Sequence, residues 1–366
     1  MKWAEIDRGA ITGNVAALTR HVGSNVAVMA MVKANGYGHG AIAAGEAALA
    51  GGATWLGVSS AEEAIQLVDA GLQATVLTVG WTPPSQVEAL VRRGVHLTVY
   101  DPACLDDIVA TARAAGRPAL LHIKLDSGMG RLGARREVVP ALVEALRRGG
   151  DAVELRGLFT HFADADGADV DFTEVQHARF LEAATALRQV GSGALLHCAN
   201  SAATLRLPHM HHDIVRPGIA IYGYAPPACG GIVDLRPAMS LHCSVTLAKT
   251  VRAGDSVGYG RTWVAEHDTL VATLACGYAD GIHRAQSNRG VALVGGVRVP
   301  FIGRVSMDQI TLDISDVEGV SIGDEAVLFG RQESAELGAD EVAARIGTIS
   351  YEILCAVSAR VPRVVV

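Results

Sequence analysis

The 366 residues are 50% hydrophobic, include 41 glycines and carry only 19% charged side chains, enough apolar material for two domains or for one barrel with an appendage. With 31 basic against 38 acidic residues the net charge is −7, which argues against a nucleic-acid partner and offers no basic tract to a membrane surface. The opening MKWAEIDRGA lacks the apolar stretch of a signal peptide, uncharged runs such as 47–61 are interrupted by Gly, Thr and Ser before they could span a bilayer, and Cys104, Cys198, Cys229, Cys243, Cys276 and Cys355 show no paired spacing. The expectation is a soluble cytoplasmic enzyme with reduced, mostly buried thiols.

From residue 25 to about 224 short β-branched runs alternate with alanine-rich amphipathic stretches. The strands expected are VAVMAMV (26–32), TWLGV (54–58), TVLTV (75–79), VHLTV (95–99), ALLHIKL (119–125), VELRGLFT (153–160), ALLHC (194–198) and DIVR (213–216). Apolar residues three and four apart predict helices over 62–70, 84–93, 105–115, 138–148 and 174–190. This alternation requires parallel strands joined by crossover helices. Eight strands in about 200 residues fit a (β/α)8 barrel; a doubly wound open sheet is the competing architecture. Beyond 236, short strands separated by turn residues predict an all-β module, with a helix over 339–346 and a terminal strand in RVPRVVV. The expected domains are 9–236 and 237–366, the connection running through the Pro- and Gly-rich stretch 224–231.

The first strand runs straight into Lys33, followed by Gly36, Gly38 and Gly40, which let the chain turn. Barrel catalytic groups stand at the carboxyl ends of strands, and an amine desolvated there has a lowered pKa and reacts with aldehydes. A lone lysine in this place is more often a surface residue snorkelling to water. This one has company. After the seventh strand Asn200 and Ser201 start a helix, and after the eighth Gly218 and Ile219 offer backbone N–H groups, the usual barrel position for a phosphate. Lysine and phosphate site together point to pyridoxal phosphate, with Arg216 directed at its ring.

The motifs AMVKANGYGHG (30–40), KLDSGMGRLG (124–133), THFADAD (160–166), HCANSAATL (197–205), VRPGIAIYG (215–223), VGYGRTW (257–263), CGYADGIHR (276–284), GRVSMDQ (303–309) and SYEILC (350–355) follow one another in an order that resembles alanine racemases, fold-type III pyridoxal-phosphate enzymes, over essentially the whole chain. The resemblance implies a barrel followed by a β domain, with residues 1–8 pairing into the latter. It implies racemisation of alanine in a homodimer with shared active sites, supplying D-alanine for peptidoglycan.

By the same resemblance Lys33 holds the cofactor and serves as base on one face of the substrate, while Tyr259, lent by the other subunit, serves on the opposite face. Tyr37, Ser201, Gly218, Ile219 and Tyr351 contact the phosphate, with Asn200 beside them, and His161 neighbours the ring and bonds to Arg216. Arginine only donates and stays charged, so a ring nitrogen facing it accepts and remains unprotonated. The ring is then a poorer electron sink, and the charge left on the α-carbon is returned its proton before other reactions compete. A phenol with a pKa of about 10 needs nearby positive charge to act as a base. Arg131 and the Met307 backbone hold the substrate carboxylate; Tyr278, Arg284, Arg304 and Asp308 line the entry. Lys124 matches a lysine carbamylated in many members, with an ordinary lysine paired to Asp126 as the alternative. Ser306 departs from the family, which often has cysteine there; with the Met307 backbone in the working role, a mild effect is expected.

GMGRLG (128–133) fits a dinucleotide fingerprint, but its strand is the fifth of the series and carries Lys124 and Asp126. HMHH (209–212) reads as a solvated loop rather than a metal site, because four adjacent residues cannot all reach one ion; no metal is expected. Cys198 and Cys355 read as core thiols, lacking the paired histidine of a nucleophile, and Tyr222 and Tyr224 serve packing as well as any chemistry. The rival functions are a racemase accepting serine or other amino acids, a decarboxylase on the same fold, and a pyridoxal-phosphate carrier without turnover. The decarboxylase calls for an acidic residue where Arg216 stands, and the carrier for a barrel without a β domain.

Overall fold

The computed structural model describes residues 1–191 and 193–366. It divides into two compact units, one of residues 9–36 and 41–236, the other of residues 1–8, 37–40 and 237–366.

β1 (Lys2–Ile6) belongs to the second unit. The first is a ring of parallel strands: β2 (Ala27–Met31), β3 (Trp55–Val58), β4 (Thr75–Thr78), β5 (His96–Val99), β6 (Ala119–Lys124), β7 (Val153–Phe159), β8 (Leu195–His197) and β9 (Ile214–Val215), in the order β8-β7-β6-β5-β4-β3-β2-β9. The ring closes by backbone hydrogen bonds, from Asp213 N–H to the Leu196 carbonyl at 3.1 Å and from Arg216 N–H to the Ala199 carbonyl at 2.8 Å. This is the (β/α)8 barrel, and the doubly wound alternative is excluded by the closure.

The helices anticipated from apolar spacing form close to their expected bounds. Pro84–Arg93 buries Val87, Leu90 and Val91, turns Arg92 and Arg93 outward, begins with proline in its first turn and stops at Gly94 in the left-handed region. Ala61–Asp69 is held by a reciprocal capping box between Ser60 and Glu63. Helices Arg8–Val22, Ala41–Ala50 and Ser350–Ala356 were not anticipated. Ala41–Ala50 is apolar or small almost all round and shows no periodicity, and Arg8–Val22 is interrupted by Gly13.

Two sequence expectations are corrected. The HMHH run is no solvated loop: a 3-10 turn, Pro208–Met210, tucks Met210 and His211 inside and leaves only His209 fully exposed. Cys355 is an exposed thiol rather than a core one, because the face of helix Ser350–Ala356 that is buried is the one bearing Ile353 and Leu354. Tyr222 is a packing residue, fully buried with its hydroxyl donating to the Met31 carbonyl at 3.0 Å.

The second unit continues with β10 (Met239–Val251), β11 (Ser256–Val257), β12 (Trp263–Val264), β13 (Thr269–Leu274), β14 (Val291–Val294), β15 (Val297–Pro300), β16 (Ile310–Asp313), β17 (Glu325–Gln332), β18 (Ala335–Leu337) and β19 (Arg363–Val365). β10 is its spine, pairing with β1, β13 and β17, with a register shift between Val245 and Leu247 against β13 that bends the long strand. β1 pairs antiparallel with β10 and parallel with β19. Among the described residues no helix is long and apolar enough to cross a membrane.

Candidate active site

Lys33 follows the end of β2, as expected, but the turn beside it is not built mainly from glycine. Ala34, Asn35, Gly36 and Tyr37 all have φ between 51° and 62°, a left-handed turn in which only one residue is free of Cβ strain. Each non-glycine there costs about 1–2 kcal/mol. Hydrogen bonds offset the cost: Glu63 Oε1 accepts from Ala34 N–H at 2.7 Å, Asn35 Oδ1 from Ala41 N–H at 3.0 Å, and the Val32 carbonyl from Gly36 N–H at 2.8 Å. The other oxygen of Glu63 accepts from Ser59 N–H at 2.7 Å. One carboxylate thus ties the Lys33 turn to the end of β3, besides capping helix Ala61–Asp69.

Lys124 ends β6 and is buried. Burial first, then the charges of Arg216, Arg131 and Lys33, push its ammonium down to about 8, with Asp126 opposing. The Asp126 carboxylate is directed elsewhere: its Oδ1 accepts from Gly128 and Gly130 N–H, each at 3.0 Å. Those bonds occupy the amides that a dinucleotide phosphate would need, which removes the fingerprint reading of 128–133. Ala134 N–H donates back to the Lys124 carbonyl at 2.8 Å and pins the loop that carries Arg131.

Arg216, just past β9, is buried and held from several sides. Nη1 donates to the His197 carbonyl at 2.7 Å and to His197 Nδ1 at 3.0 Å. Nη2 donates to the carbonyls of Thr160 at 2.7 Å and Cys198 at 3.3 Å, and to His161 Nδ1 at 3.3 Å. Its guanidinium and the Lys124 ammonium both approach the Phe159 ring, at 5.3 and 5.4 Å from the centroid. Burial pushes the arginine down to about 10, so it stays charged at neutral pH.

Behind it lies a chain of buried histidines that sequence reasoning missed. Because Arg216 can only donate, His197 Nδ1 accepts and its proton sits on Nε2, 2.8 Å from His122 Nδ1. His122 must then carry its proton on Nε2, 3.0 Å from His96 Nδ1. Burial holds His197 and His122 well below the usual imidazole range and His96 down at about 4, so the relay is neutral. His161 is likewise held well below, by burial and then by Arg216, Lys124, Arg131 and Lys33.

Asn200 caps helix Ser201–Arg206, its Oδ1 accepting from Ala203 N–H at 3.1 Å. Ser201 Oγ accepts from Gly218 N–H at 2.8 Å and Ala220 N–H at 3.4 Å. The Gly218 amide, expected to face a phosphate, is therefore paired with Ser201, while the hydroxyl, accepting twice, has its own proton to donate outward. Ile219 begins the 3-10 turn Ile219–Tyr222 beside them.

In the second unit Tyr37 and Tyr351 lie 6.1 Å apart, centroid to centroid. Tyr37 is buried, and burial, with Tyr351 and Cys355 following, raises its phenol well above the usual range. Tyr278 N–H donates to the Ser306 carbonyl at 2.9 Å and Ala279 N–H to the Met307 carbonyl at 3.0 Å, which fixes the Met307 peptide. Asp308 pairs with Arg360 at 2.7 Å. Ser287 Oγ links the Arg284 turn to Val305, accepting Val305 N–H at 3.0 Å. Tyr259, 71% exposed, stands between Gly258 and Gly260, both left-handed and both packed against Arg304. Tyr278, Met307 and Tyr259 are all large exposed side chains.

The barrel residues suit a phosphorylated aldehyde. Lys33, Arg131 and Arg216 all lower the Lys124 ammonium while Asp126 raises it, so positive charge prevails around that amine, and the carboxylate is committed to its own turn. Such a cluster calls for anions, a phosphate and a carboxylate being of the right chemistry, and it includes the amine that an aldehyde requires.

Two family models match the chain, the alanine racemase N-terminal domain over residues 6–226 and the alanine racemase C-terminal domain over 238–365. Among curated relatives, an alanine racemase of Symbiobacterium thermophilum is 42% identical over 99% of this chain and 96% of its own length, and an alanine racemase 2 of Oceanobacillus iheyensis 40% identical over 99% and 92%. Among solved structures, alanine racemase from Bacillus anthracis with bound L-Ala-P superposes with a TM-score of 0.94 at 37% identity, covering 100% of this chain and 95% of that one. Alanine racemase from Streptomyces coelicolor gives 0.93 at 38% identity, covering 100% and 98%.

Proposed function

The chain belongs to the alanine racemase family and is an isomerase that racemises alanine; we propose that it does so with pyridoxal phosphate held at Lys33, by two bases placed on opposite faces of the substrate. The observation that carries this reading is the positive charge that Lys33, Arg131 and Arg216 bring to the buried Lys124, a cationic site that contains two amines. Pyridoxal phosphate, when bound, supplies an electron-accepting ring conjugated to the amino acid's α-carbon.

The residues of the chain do the rest. Lys33 Nζ takes or returns the α-proton on one face. Tyr259 Oη of the partner subunit does so on the other, and its exposure suits a phenol offered to a second copy of the chain. Arg131 and the Met307 amide orient the substrate carboxylate. Ser201, Ile219, Tyr37 and Tyr351 bind phosphate, with the Gly218 amide holding the Ser201 hydroxyl and Asn200 fixing the helix start. Arg216, its Nη atoms held by His197, Thr160, Cys198 and His161, would face the ring nitrogen as a donor. The neutral histidine relay orients that arginine without competing for its charge. His161 packs beside it. Lys124, largely neutral just above pH 8, is the amine suited to carbamylation; the resulting anion would orient Arg131. Tyr278, Arg284, Arg304 and Asp308 line the approach. Six cysteines outside any disulfide fit a cytoplasmic setting, and the role is supply of D-alanine for peptidoglycan.

The test is chirality-read turnover of L-alanine, with and without added pyridoxal phosphate, against serine and lysine in parallel. Cofactor-dependent racemisation of alanine supports the reading; cofactor-independent turnover, or carbon dioxide release in place of inversion, overturns it.

A further inference from the structure

The HMHH segment contributes to a cluster that its own sequence could not reveal. His212 holds a left-handed backbone, φ 48°, and its Nε2 lies 2.7 Å from Nε2 of His177 on helix Asp171–Leu187. Cys198 follows β8 directly, and successive residues of an extended chain point to opposite sides. His197 therefore faces Arg216 and the histidine relay, whereas Cys198 Sγ faces the other way and donates to the Met210 carbonyl at 3.1 Å. The ligand atoms of His177, Cys198 and His212 all lie within 4.8 Å of one another. Phe162 and Phe180 wall the histidine pair, with centroids 6.5 Å from His177 and 6.4 Å from His212. Cys198 is fully buried, and the two histidines, only partly so, give an ion access from outside.

We propose that His177, Cys198 and His212 form a binding site for a borderline divalent transition metal, zinc by ligand class, on the outer side of the strand end that carries the Arg216 clamp. Two imidazoles and a thiolate are the donor set that such ions prefer, leaving a fourth position for water. Tetrahedral zinc holds its donors roughly 3.3–3.7 Å apart, so the histidine pair opens by about half an ångström on binding. The ion replaces the thiol proton of Cys198, releasing one proton, while the proton between the imidazoles moves to a ring Nδ1 and costs no net charge. His209 is engaged with Glu174 at 2.8 Å and is not a ligand. Because the Cys198 carbonyl accepts from Arg216 Nη2, the ion stiffens the backbone that positions the arginine.

The experiment uses holoenzyme without a polyhistidine tag, stripped by chelator and titrated with Co2+. Expected are one ion per chain, thiolate-to-cobalt charge-transfer absorption and its loss on adding Zn2+. His177→Ala, and His212→Asn, which tolerates the left-handed backbone, weaken binding at least about tenfold. Cys198→Ser removes the charge-transfer band. Zn2+ also raises the melting temperature of the wild type and not of His177→Ala, a helix-compatible change. Absence of saturable absorption, or a band that persists in Cys198→Ser or in both histidine variants, overturns the proposal.

Discussion

His122 and Gly157 are neighbours across the β6–β7 pair, and a Cβ built on Gly157 would sit 2.3 Å from His122 Nδ1. That nitrogen is the one that accepts the proton of His197, so the missing side chain makes room for the relay behind Arg216. Gly157→Ala is expected to cost about 1–3 kcal/mol by overpacking and to displace His122. Denaturant unfolding reads the cost, and kcat should fall more than KM rises, because Arg216 is still present but less firmly held. Unchanged stability and kcat would show that the ring has room to retreat.

Glu63 is a positioning residue for Lys33. Glu63→Ala removes the acceptor for Ala34 and Ser59 N–H and is expected to destabilise by about 1–2 kcal/mol, since both amides are partly solvated. Relaxation of the 34–37 turn should also weaken cofactor retention on dialysis, measured by absorbance, while Glu63→Gln restores part of it. Equal retention in both variants and the parent would mean that the turn holds itself.

Lys124 gives the chain a distinct alkaline signature. Its folded pKa of about 8 lies below the ordinary 10.5, so between those values the unfolded chain binds more protons than the folded one. The group's contribution therefore rises with pH across that window and is least favourable below 8. Urea midpoints taken in bicarbonate-free buffer at pH 8 and pH 10 should show this rise in the parent relative to Lys124→Met. Parallel pH profiles would contradict the burial argument.

Sharing of sites between subunits is tested by mixing two inactive variants. Tyr259→Phe should lower kcat by about 10²-fold or more while keeping the bound cofactor's absorption. Lys33→Ala should be inactive for want of the amine. Refolding the two together makes mixed dimers in which one site has both residues, and activity should return. No recovery, despite exchange of subunits, would place the second base elsewhere.

All eight barrel strands were legible in the sequence because each is a short β-branched run between turn residues. The helix Ala41–Ala50 was not, since an almost uniformly small, apolar stretch has no face to detect. Lys33 and Arg216 could be picked out as charges at strand ends, where a buried run meets a loop, and Lys124 through the family resemblance. Glu63, His122 and His197 could not: a cap carboxylate and strand histidines look generic until the barrel closes and aligns them. The HMHH run misled for a related reason. Only His212 of the four joins the cluster, and its partners His177 and Cys198 lie on other elements.

The central claim is that the Lys33 amine carries the coenzyme. Borohydride reduction of the holoenzyme, followed by proteolysis and mapping of the modified peptide, tests it most directly. The label is expected on Lys33 in the peptide containing AMVKANGYGHG; recovery on Lys124, or on no lysine at all, would contradict the account.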